Sequence, residues 1–564
     1  MKVTGAHIFW ECMVREGVNI IFGFPGGASL PLYDAMDAFP VKHILVRHEQ
    51  GAAHMADGYA RASGKVGVAM VTSGPGATNL VTGIANALMD SIPTVFVTSQ
   101  VASHLIGYDA FQEIDVTGIT MPITKHNYLV TDVAEINHVV REAFYLARTG
   151  RPGPVLIDLT KDAQMATLDW EYDDSPISLV GYDPSPKAQQ EDFDAAMALI
   201  QKAKRPLILA GQGVLMSGAM DQLRTFAEKS QMPVAVTLLG IGCLPADHPL
   251  NLGMMGMHGE KWVNLAIQEC DLLLAFGMRF DDRVIGRVQA YAPNARKVHF
   301  EFDQSEVNKN IQVDVAVIGD LKVSLEKLIP ILPEMRHDEW LAAIQTNRTE
   351  TLSVSAGASP NTQHLSVPDV LKEISRSCAQ PSIAVTDVGQ HQMWAAQNFK
   401  RNDPFSFISS GGLGTMGFGL PAALGAKVAC PEKNVWVIAG DGGFQMTQAE
   451  LSTSAQWGIK VNVAIMNNGY LGMVRQWQDL FYEQRYTATP IHSPDFVKIA
   501  EAHGLPGRKI TKQSEVRDAV LWAESQPETV VLDFRVQAEE NVYPMVSVGA
   551  ALHEMIVHDE YQEE

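Results

Sequence analysis

Gly440-Asp-Gly-Gly-Phe444, answered further on by Asn467-Asn468, decides the fold of this chain. The apolar run Val435-Trp-Val-Ile-Ala439 leads into the first segment, and Val461-Asn-Val-Ala-Ile-Met466 leads into the asparagines, with a helix-like stretch between them. That alternation predicts two adjacent parallel strands ending side by side, at the edge where open α/β sheets bind ligands. The groups delivered there are all oxygens: the Asp441 carboxylate, the Asn468 amide oxygen and the backbone carbonyl of Tyr470. Such a set suits a hard divalent cation that keeps a water and takes phosphate oxygens from its cargo. Gly440, Gly442 and Gly443 allow bare backbone to approach a diphosphate.

A rival reading exists. Gly412-x-Gly414-x-x-Gly417 fits the dinucleotide fingerprint, follows the apolar Phe405-Ser-Phe-Ile408, and has Asp441 roughly 20 residues on. The rival expects an acidic residue that ends its strand alone, whereas Asp441 opens the glycine segment that leads to the asparagines. Gly-Asp-Gly by itself is a common turn; the paired asparagines after the next strand reverse the odds.

At 564 residues the chain exceeds one core, and about three to four domains are expected. Its 43 basic and 64 acidic side chains give a formal net charge of −21, which argues against nucleic acid or an anionic membrane surface as partner. Anion binding must then be local, through metal and backbone N–H groups. No apolar run approaches the ~18 residues of a membrane span. Met1-Lys-Val-Thr-Gly-Ala6 lacks a signal-peptide core, so a cytoplasmic protein is expected. The scattered Cys12, Cys243, Cys270, Cys378 and Cys430 form no Cys-x-x-Cys pair and read as reduced core residues.

Residues 1–170 alternate short apolar runs (19–23, 43–46, 66–72, 94–99, 155–159) with helix-like stretches, the pattern of βαβ units and a parallel sheet. An acidic, Pro- and Ser-rich linker at 171–192 leads to a second α/β domain over about 190–335, with runs at 207–210, 233–237, 272–276 and 297–302. A second linker, 352–368, precedes a third α/β domain over 369–545, and 546–564 forms a tail that is either a lid or a frayed end. The expectation is α/β throughout, as three doubly wound parallel-sheet domains.

Glu49 stands where a strand gives way to a helix, in Val46-Arg-His-Glu-Gln-Gly-Ala-Ala-His-Met-Ala-Asp-Gly-Tyr-Ala60. In a first helical turn a glutamate is ordinarily a partner of the helix dipole. Gly-Asp-Gly with the paired asparagines, however, resembles the signature of the thiamin diphosphate-dependent pyruvate oxidase and decarboxylase superfamily. The likeness covers nearly the whole chain and is to the acetohydroxyacid synthase (acetolactate synthase) catalytic large-subunit family. It is carried by Phe22-Gly-Phe-Pro-Gly-Gly-Ala28, Arg47-His-Glu-Gln-Gly51, Thr72-Ser-Gly-Pro-Gly-Ala-Thr-Asn79, Asp109-Ala-Phe-Gln-Glu113 and Gly150-Arg-Pro-Gly-Pro154. It continues through Gly256-Met-His-Gly259, Arg279-Phe-Asp-Asp-Arg283, Gly389-Gln-His-Gln-Met-Trp394, Gly411-Gly-Leu-Gly-Thr-Met416 and Gly472-Met-Val-Arg-Gln-Trp-Gln478.

The resemblance implies a pyrimidine-binding N-terminal domain, a central FAD-binding domain and a C-terminal diphosphate-binding domain. It implies thiamin diphosphate, Mg2+ and FAD as cofactors, and a homodimer or homotetramer with active sites across the dimer interface. A small regulatory subunit is a further partner it allows. Glu49 matches the glutamate that exchanges a proton at N1′ of the cofactor's aminopyrimidine, so Glu49 of one subunit would serve the cofactor held by Asp441 of the other. Asp441, Asn468 and Tyr470 match the Mg2+ ligands. Gly389, Gln390 and His391 match diphosphate contacts, with Gly440, Gly442, Gly443, Gly472 and Met473 around them. Met416 matches an apolar wedge under the bent cofactor, and the Gly414 carbonyl an acceptor for its 4′-amino group.

Gly26, Gly27, Ala28, Phe111, Gln112 and Lys161 match the substrate channel, although Lys161 reads equally well as a solvated helix-start lysine. Arg283 matches the residue that grips the acceptor carboxylate, beside Met257; a local salt bridge within Asp281-Asp282-Arg283 is the alternative. Trp477 matches an indole that favours the larger acceptor. Arg151, Gly211, Gly213, Met257, His258, Gly259, Arg279, Asp281, Glu301 and Asp320 match flavin contacts; Arg-Phe-Asp-Asp-Arg is the specific part and separates the chain from flavin-free catabolic relatives. Ala102, where the family commonly has Pro, and Tyr108, where a Thr is usual, depart from the pattern near the channel mouth.

The implied reaction is decarboxylation of pyruvate and transfer of its two-carbon unit to a second 2-ketoacid, in branched-chain amino acid (valine, leucine, isoleucine) biosynthesis. Pyruvate as acceptor gives 2-acetolactate, and 2-ketobutyrate gives 2-aceto-2-hydroxybutyrate. An FAD-dependent pyruvate oxidase and an inactive flavin-binding or assembly protein are the alternatives. Gln476-Trp-Gln478 and Arg283 speak against the first, and Glu49, Asp441 and Asn468 against the second.

Overall fold

The computed structural model describes residues 2–357 and 365–557. Its first unit contains strands β1 (Lys2–Thr4), β2 (Ile20–Phe24), β3 (Lys42–Leu45), β4 (Gly67–Val71), β5 (Thr94–Gln100), β6 (His126–Val130), β7 (Pro154–Thr160) and β8 (Thr167–Asp169). The second contains β9 (Pro206–Ala210), β10 (Val234–Val236), β11 (Asn251–Met254), β12 (Leu272–Phe276), β13 (Arg296–Glu301) and β14 (Val315–Ile318). The third contains β15 (Ser382–Thr386), β16 (Phe407–Ile408), β17 (Asn434–Gly440), β18 (Asn462–Asn467), β19 (Gly507–Ile510) and β20 (Val530–Arg535), and two short strands follow, β21 (Met545–Val546) and β22 (Met555–Ile556). Each unit is built on a six-stranded parallel sheet, in the orders β3-β2-β4-β5-β7-β6, β11-β10-β9-β12-β13-β14 and β16-β15-β17-β18-β20-β19.

Central strands such as β4 (GVAMV) and β12 (LLLAF) are buried along their whole length, which explains why they read as continuous apolar runs and not as alternating ones. The edge strands β6, β11 and β19 carry polar or half-exposed residues, and their apolar signal is correspondingly thin. In every sheet the strand order reverses beside its first strand: between β2 and β4, between β9 and β12, and between β15 and β17. Those reversals leave a crevice at the carboxyl ends of the strands.

The first and third units are locked together by helices rich in small residues. A Cβ on Gly58, in the helix Glu49–Ser63, would overlap the Ala422 carbonyl, and one on Gly425, in Gly419–Ala429, would overlap the Met55 carbonyl. Beside this contact Arg61 binds Asp57 and, at 2.7 Å, Asp90, and donates to the Ser409 carbonyl at 3.1 Å. Asp90 in turn accepts the Gly411 and Gly412 amides at 3.1 and 2.7 Å. The dinucleotide reading therefore fails on two counts: β16, which feeds that glycine segment, is an edge strand, and the Gly412 amide is spent on a protein carboxylate.

Two stretches differ from expectation. The second linker begins inside a helix, Asp338–Gly357, whose Trp340 and Ile344 pack into the core of the central unit, with Trp340 Nε1 donating to the Pro206 carbonyl at 2.9 Å. Residues 358–364 of that linker lie outside the described residues, and the helix Val367–Ser377 follows. Residues 545–557 pair β21 with β22 and bury Val546, Leu552 and Met555 in the central unit, so this part of the chain is neither a lid over the cleft nor a frayed end. Residues 558–564 lie outside the described residues. All five cysteines are free and buried. No described helix is long and apolar enough to cross a membrane.

Candidate active site

The cleft at the β15/β17 reversal collects most of the residues singled out for the diphosphate and its cation. Gly389, Gln390 and His391 reach it from the end of β15, Gly440 to Gly443 from the end of β17, and Asn468, Tyr470, Gly472 and Met473 from the end of β18. Met416 closes one side. β17 and β18 are paired in parallel with Gly440 opposite Met466, so Asp441 and Asn468 are delivered side by side.

Asp441 is buried and asymmetrically used. Its Oδ2 accepts from the Gly469 N–H at 3.0 Å and the Ser493 hydroxyl at 2.5 Å, whereas its Oδ1 is buried without a partner among protein groups. Burial pushes its carboxyl above the usual range, against the pull of those two donors. Asn468 Oδ1 accepts the Tyr470 N–H at 3.0 Å, which fixes the turn and leaves the second lone pair of the amide oxygen. His391 Nε2 is likewise buried and unpartnered, and burial holds its pKa down at about 4, so the ring is neutral near pH 7. Gln390 Nε2 donates to Gln476 and to the Glu540 carbonyl, each at 2.9 Å, which ties the cleft wall to the helix Gly472–Phe481. Gly389 has φ 150°, a conformation closed to side chains with a Cβ, and starts the helix Gln390–Asn398.

Asp387 went unnoticed in the sequence. Fully buried, it accepts the Gly417 amide on both oxygens at 3.0 Å and the Gly419 amide at 3.0 Å, and so holds the loop that carries Met416. A Cβ on Gly443 would overlap its carboxylate, so that glycine makes room for Asp387. The signal was present: Ile383-Ala-Val-Thr-Asp-Val-Gly389 repeats the pattern of an apolar strand ending in an acid and a glycine. Ser493 gave no such signal, and Gln476, though within the quoted Gly472–Gln478 run, had no role assigned to it.

Gly414 and Glu49 do not line this cleft. Gly414 is exposed, with φ 70°, beyond Met416 on the loop. Glu49 opens its helix on the first unit and accepts from Asn79 Nδ2 at 2.9 Å. Gly26, Gly27 and Ala28 follow β2, and a Cβ on Gly26 would lie 2.5 Å from Thr72 after β4, so this loop sits at the reversal of the first sheet. Gln112, at φ 61°, packs on Gly74, while Phe111 is 86% exposed; Lys161 starts the helix Lys161–Met165. None of this group borders the cleft of its own chain.

Trp477 lines an open groove next to the cleft with Met473, Val474 and Tyr482, its indole 5.3 Å from the Phe481 ring. Arg283 Nη1 lies 3.3 Å from Met257 Sδ, and its Nε is 3.7 Å from Asp282 with both side chains more than half exposed. That ion pair is too loose and wet to fix the guanidinium. Among the flavin-matched residues, Gly211 and Gly213 press against Gly277 at the β9/β12 reversal. His258 is buried against the Pro544 carbonyl at 3.3 Å, with Gly259 folded back on Met255. Arg279 stands close enough to lower the Asp281 carboxyl that burial raises. Others have structural work as well: Arg151 pairs with Asp303 and Glu306 at 3.1 and 2.8 Å, Asp281 and Asp320 cap helices, and Glu301 accepts the Phe302 and Asp303 amides.

Three family models match consecutive parts of the chain: the N-terminal TPP binding domain of thiamine pyrophosphate enzymes over residues 3–119, their central domain over 193–328 and their C-terminal TPP binding domain over 387–534. The fold and the cleft are those of a thiamin diphosphate-dependent enzyme. An acetolactate synthase large subunit of Parasynechococcus marenigrum (strain WH8102) is 46% identical over 569 residues, covering 98% of this chain and 91% of that protein. A probable acetolactate synthase large subunit of Methanocaldococcus jannaschii is 46% identical, covering 98% and 95%, and the acetolactate synthase large subunit of Lactococcus lactis subsp. lactis (strain IL1403) is 45% identical, covering 98% and 96%. The chain belongs to the acetolactate synthase large-subunit family.

Proposed function

We propose that this chain decarboxylates pyruvate and joins the two-carbon unit to a second 2-ketoacid, pyruvate or 2-ketobutyrate, with Asp441 and Asn468 holding Mg2+ and the diphosphate of thiamin diphosphate. The observation that carries the assignment of the cleft is the pair of buried, unpartnered atoms on its walls, Asp441 Oδ1 and His391 Nε2. Buried polar atoms are rarely left unsatisfied; a cation would satisfy Asp441 Oδ1, and a phosphate oxygen would satisfy His391 Nε2 with the ring proton on that nitrogen. Among the described residues no three His, Cys, Asp or Glu side chains converge. A cation here would be held by Asp441, the Asn468 amide oxygen and the Tyr470 carbonyl, with phosphate and water left to supply further ligands, a set that suits Mg2+. When bound, thiamin diphosphate supplies the electron sink for decarboxylation.

The chain's own residues do the rest. Met416, on the cleft wall, would pack against the bound cofactor, and Glu49 of a second copy would move the proton at N1′. Gly27, Ala28, Phe111, Gln112 and Lys161 of that copy close the substrate side, with the carbonyl of Gly414 directed to the 4′-amino group. Support for a second copy comes from Glu49 lying off the cleft of its own chain, and from exposed Leu30, Tyr108, Phe111 and Met121 in the segments around it. FAD belongs to the same reading. The β9/β12 reversal, where Gly211, Gly213 and Gly277 bring bare backbone together, supports it, with Arg279 and His258 nearby in sequence to the loops above. A small regulatory subunit is the partner that the large-subunit relatives suggest.

Incubation with pyruvate and 2-ketobutyrate should yield both 2-acetolactate and 2-aceto-2-hydroxybutyrate, resolved by mass spectrometry. Formation of acetate or acetyl phosphate with reduction of an added quinone would favour a pyruvate oxidase instead. Acceptor choice should rest on Trp477, whose indole borders the groove beside the cleft. One methylene is worth about 1 to 3 kcal/mol in such a pocket. Trp477→Leu should therefore lower the ratio of the larger product to the smaller by about tenfold or more at equal acceptor concentrations, with pyruvate decarboxylation persisting. An unchanged ratio would leave Trp477 as packing only.

A further inference from the structure

Glu450 connects the segment that begins with Asp441 to the helix that begins with Glu49. It ends the 3-10 turn Gln448–Glu450, directly after the helix Asp441–Thr447, and is only 1% exposed. Its Oε1 accepts the backbone N–H of Arg47 at 3.1 Å and of His48 at 3.0 Å, while its Oε2 takes the Thr453 hydroxyl at 2.6 Å and shares the Arg47 amide at 3.2 Å. Those two amides immediately precede Glu49, the first residue of its helix. A carboxylate of the third unit thus fixes how a helix of the first unit starts.

The contact is closely built. A Cβ on Gly51, in the first turn of the helix, would overlap the Glu450 carboxylate. The Arg47 side chain also reaches across, donating to Gln456 at 2.6 Å. Burial pushes the Glu450 carboxyl up, against the pull of Thr453, Arg47 and His48. Within the first unit the Glu49 carboxylate meets Asn79 at 2.9 Å, the Val46 amide donates to the Gly23 carbonyl and the His48 ring caps the helix at Gln50; the Arg47 and His48 amides between them are held from the third unit.

We propose that Glu450 is a positioning residue for Glu49: by accepting the Arg47 and His48 amides it sets the direction in which the Glu49 carboxylate leaves its helix. Because one chain carries Asp441 and Glu49 toward different sites, Glu450 also ties the metal half of one site to the glutamate half of the other. The inference rests on the proposed role of Glu49.

The first test needs no cofactor. In the cofactor-free protein, Glu450→Gln should speed amide hydrogen exchange at Arg47 and His48 by about tenfold or more, since hydrogen bonds to a charged acceptor are among the stronger ones. Gly51→Ala, which displaces the carboxylate without removing it, should do the same. With thiamin diphosphate and Mg2+ bound, both variants should slow exchange of the cofactor's C2 proton by about tenfold or more while cofactor affinity stays within about twofold. In a Glu49→Gln background, Glu450→Gln should add no further slowing, because the two residues act as one unit. Unchanged C2 exchange in both single variants, or full additivity in the double variant, would overturn the positioning role while leaving Glu49 as activator. Wild-type exchange in Glu49→Gln itself would overturn the role of Glu49, and the positioning role with it.

Discussion

Glu49→Gln is expected to slow exchange of the C2 proton of bound thiamin diphosphate by about 10² to 10⁴, the range of a general acid–base group, with cofactor affinity near that of the unaltered chain. The substitution keeps size and helix position. Asn79 Nδ2, which donates to Glu49 Oε2 at 2.9 Å, finds an amide oxygen in place of a carboxylate oxygen. The backbone at Arg47 and His48 stays tied to Glu450, so the fold has no reason to change. What is lost is a group able to exchange a proton at N1′. Proton NMR after a rapid quench from deuterium oxide reads the rate directly, and an unaltered rate would reduce Glu49 to a partner of the helix dipole.

Asp441→Ala is expected to weaken thiamin diphosphate binding in the presence of Mg2+ by more than about 100-fold, since even outer-shell partners of metal ligands are worth about 10- to 100-fold. The cleft would lose the one carboxylate that its walls direct at a cation, and Asn468 and Tyr470 offer neutral oxygens only. The Gly469 amide and Ser493 hydroxyl would lose their acceptor, but both lie beside a cleft that admits water, so the sheet and its helices should survive. Titration calorimetry decides the point, with circular dichroism confirming the fold. Unchanged affinity would move the metal elsewhere.

Much of this was legible because the decisive residues lie at ends of buried strands. Val435–Ala439 is apolar throughout and Val461–Met466 is apolar but for the buried Asn462, since both faces of β17 and β18 are covered, and the polar residues that end them therefore stand out. Edge strands left fainter traces: β6 reads His-Asn-Tyr-Leu-Val and β19 Gly-Arg-Lys-Ile, each half exposed. The helix Asp338–Gly357 was hidden for another reason, since little beyond Trp340 and Ile344 gives it an apolar stripe, and its far end runs into residues that read as a linker. Contacts between units left no periodic signal at all. Asp90 on the Gly411 and Gly412 amides, or Glu450 on the Arg47 and His48 amides, joins residues hundreds of positions apart through backbone groups that any sequence supplies. The close approaches at Gly58 and Gly51 belong to the same class: the glycines are visible in the sequence, but what presses on them is not.

In the arrangement proposed above each active site is completed by a second copy of the chain, Glu49 coming from one and Asp441 from the other. Co-expression of Glu49→Gln and Asp441→Ala chains, with distinct tags and purification of the mixed dimer, tests it most directly. In a mixed dimer one site would contain both altered residues and the other neither. A randomly paired preparation should then recover about a quarter of the acetolactate-forming activity, and the purified mixed dimer about half, given a two-fold arrangement. Activity no higher than that of either variant alone would mean that Glu49 and Asp441 serve the same chain, and would contradict the account.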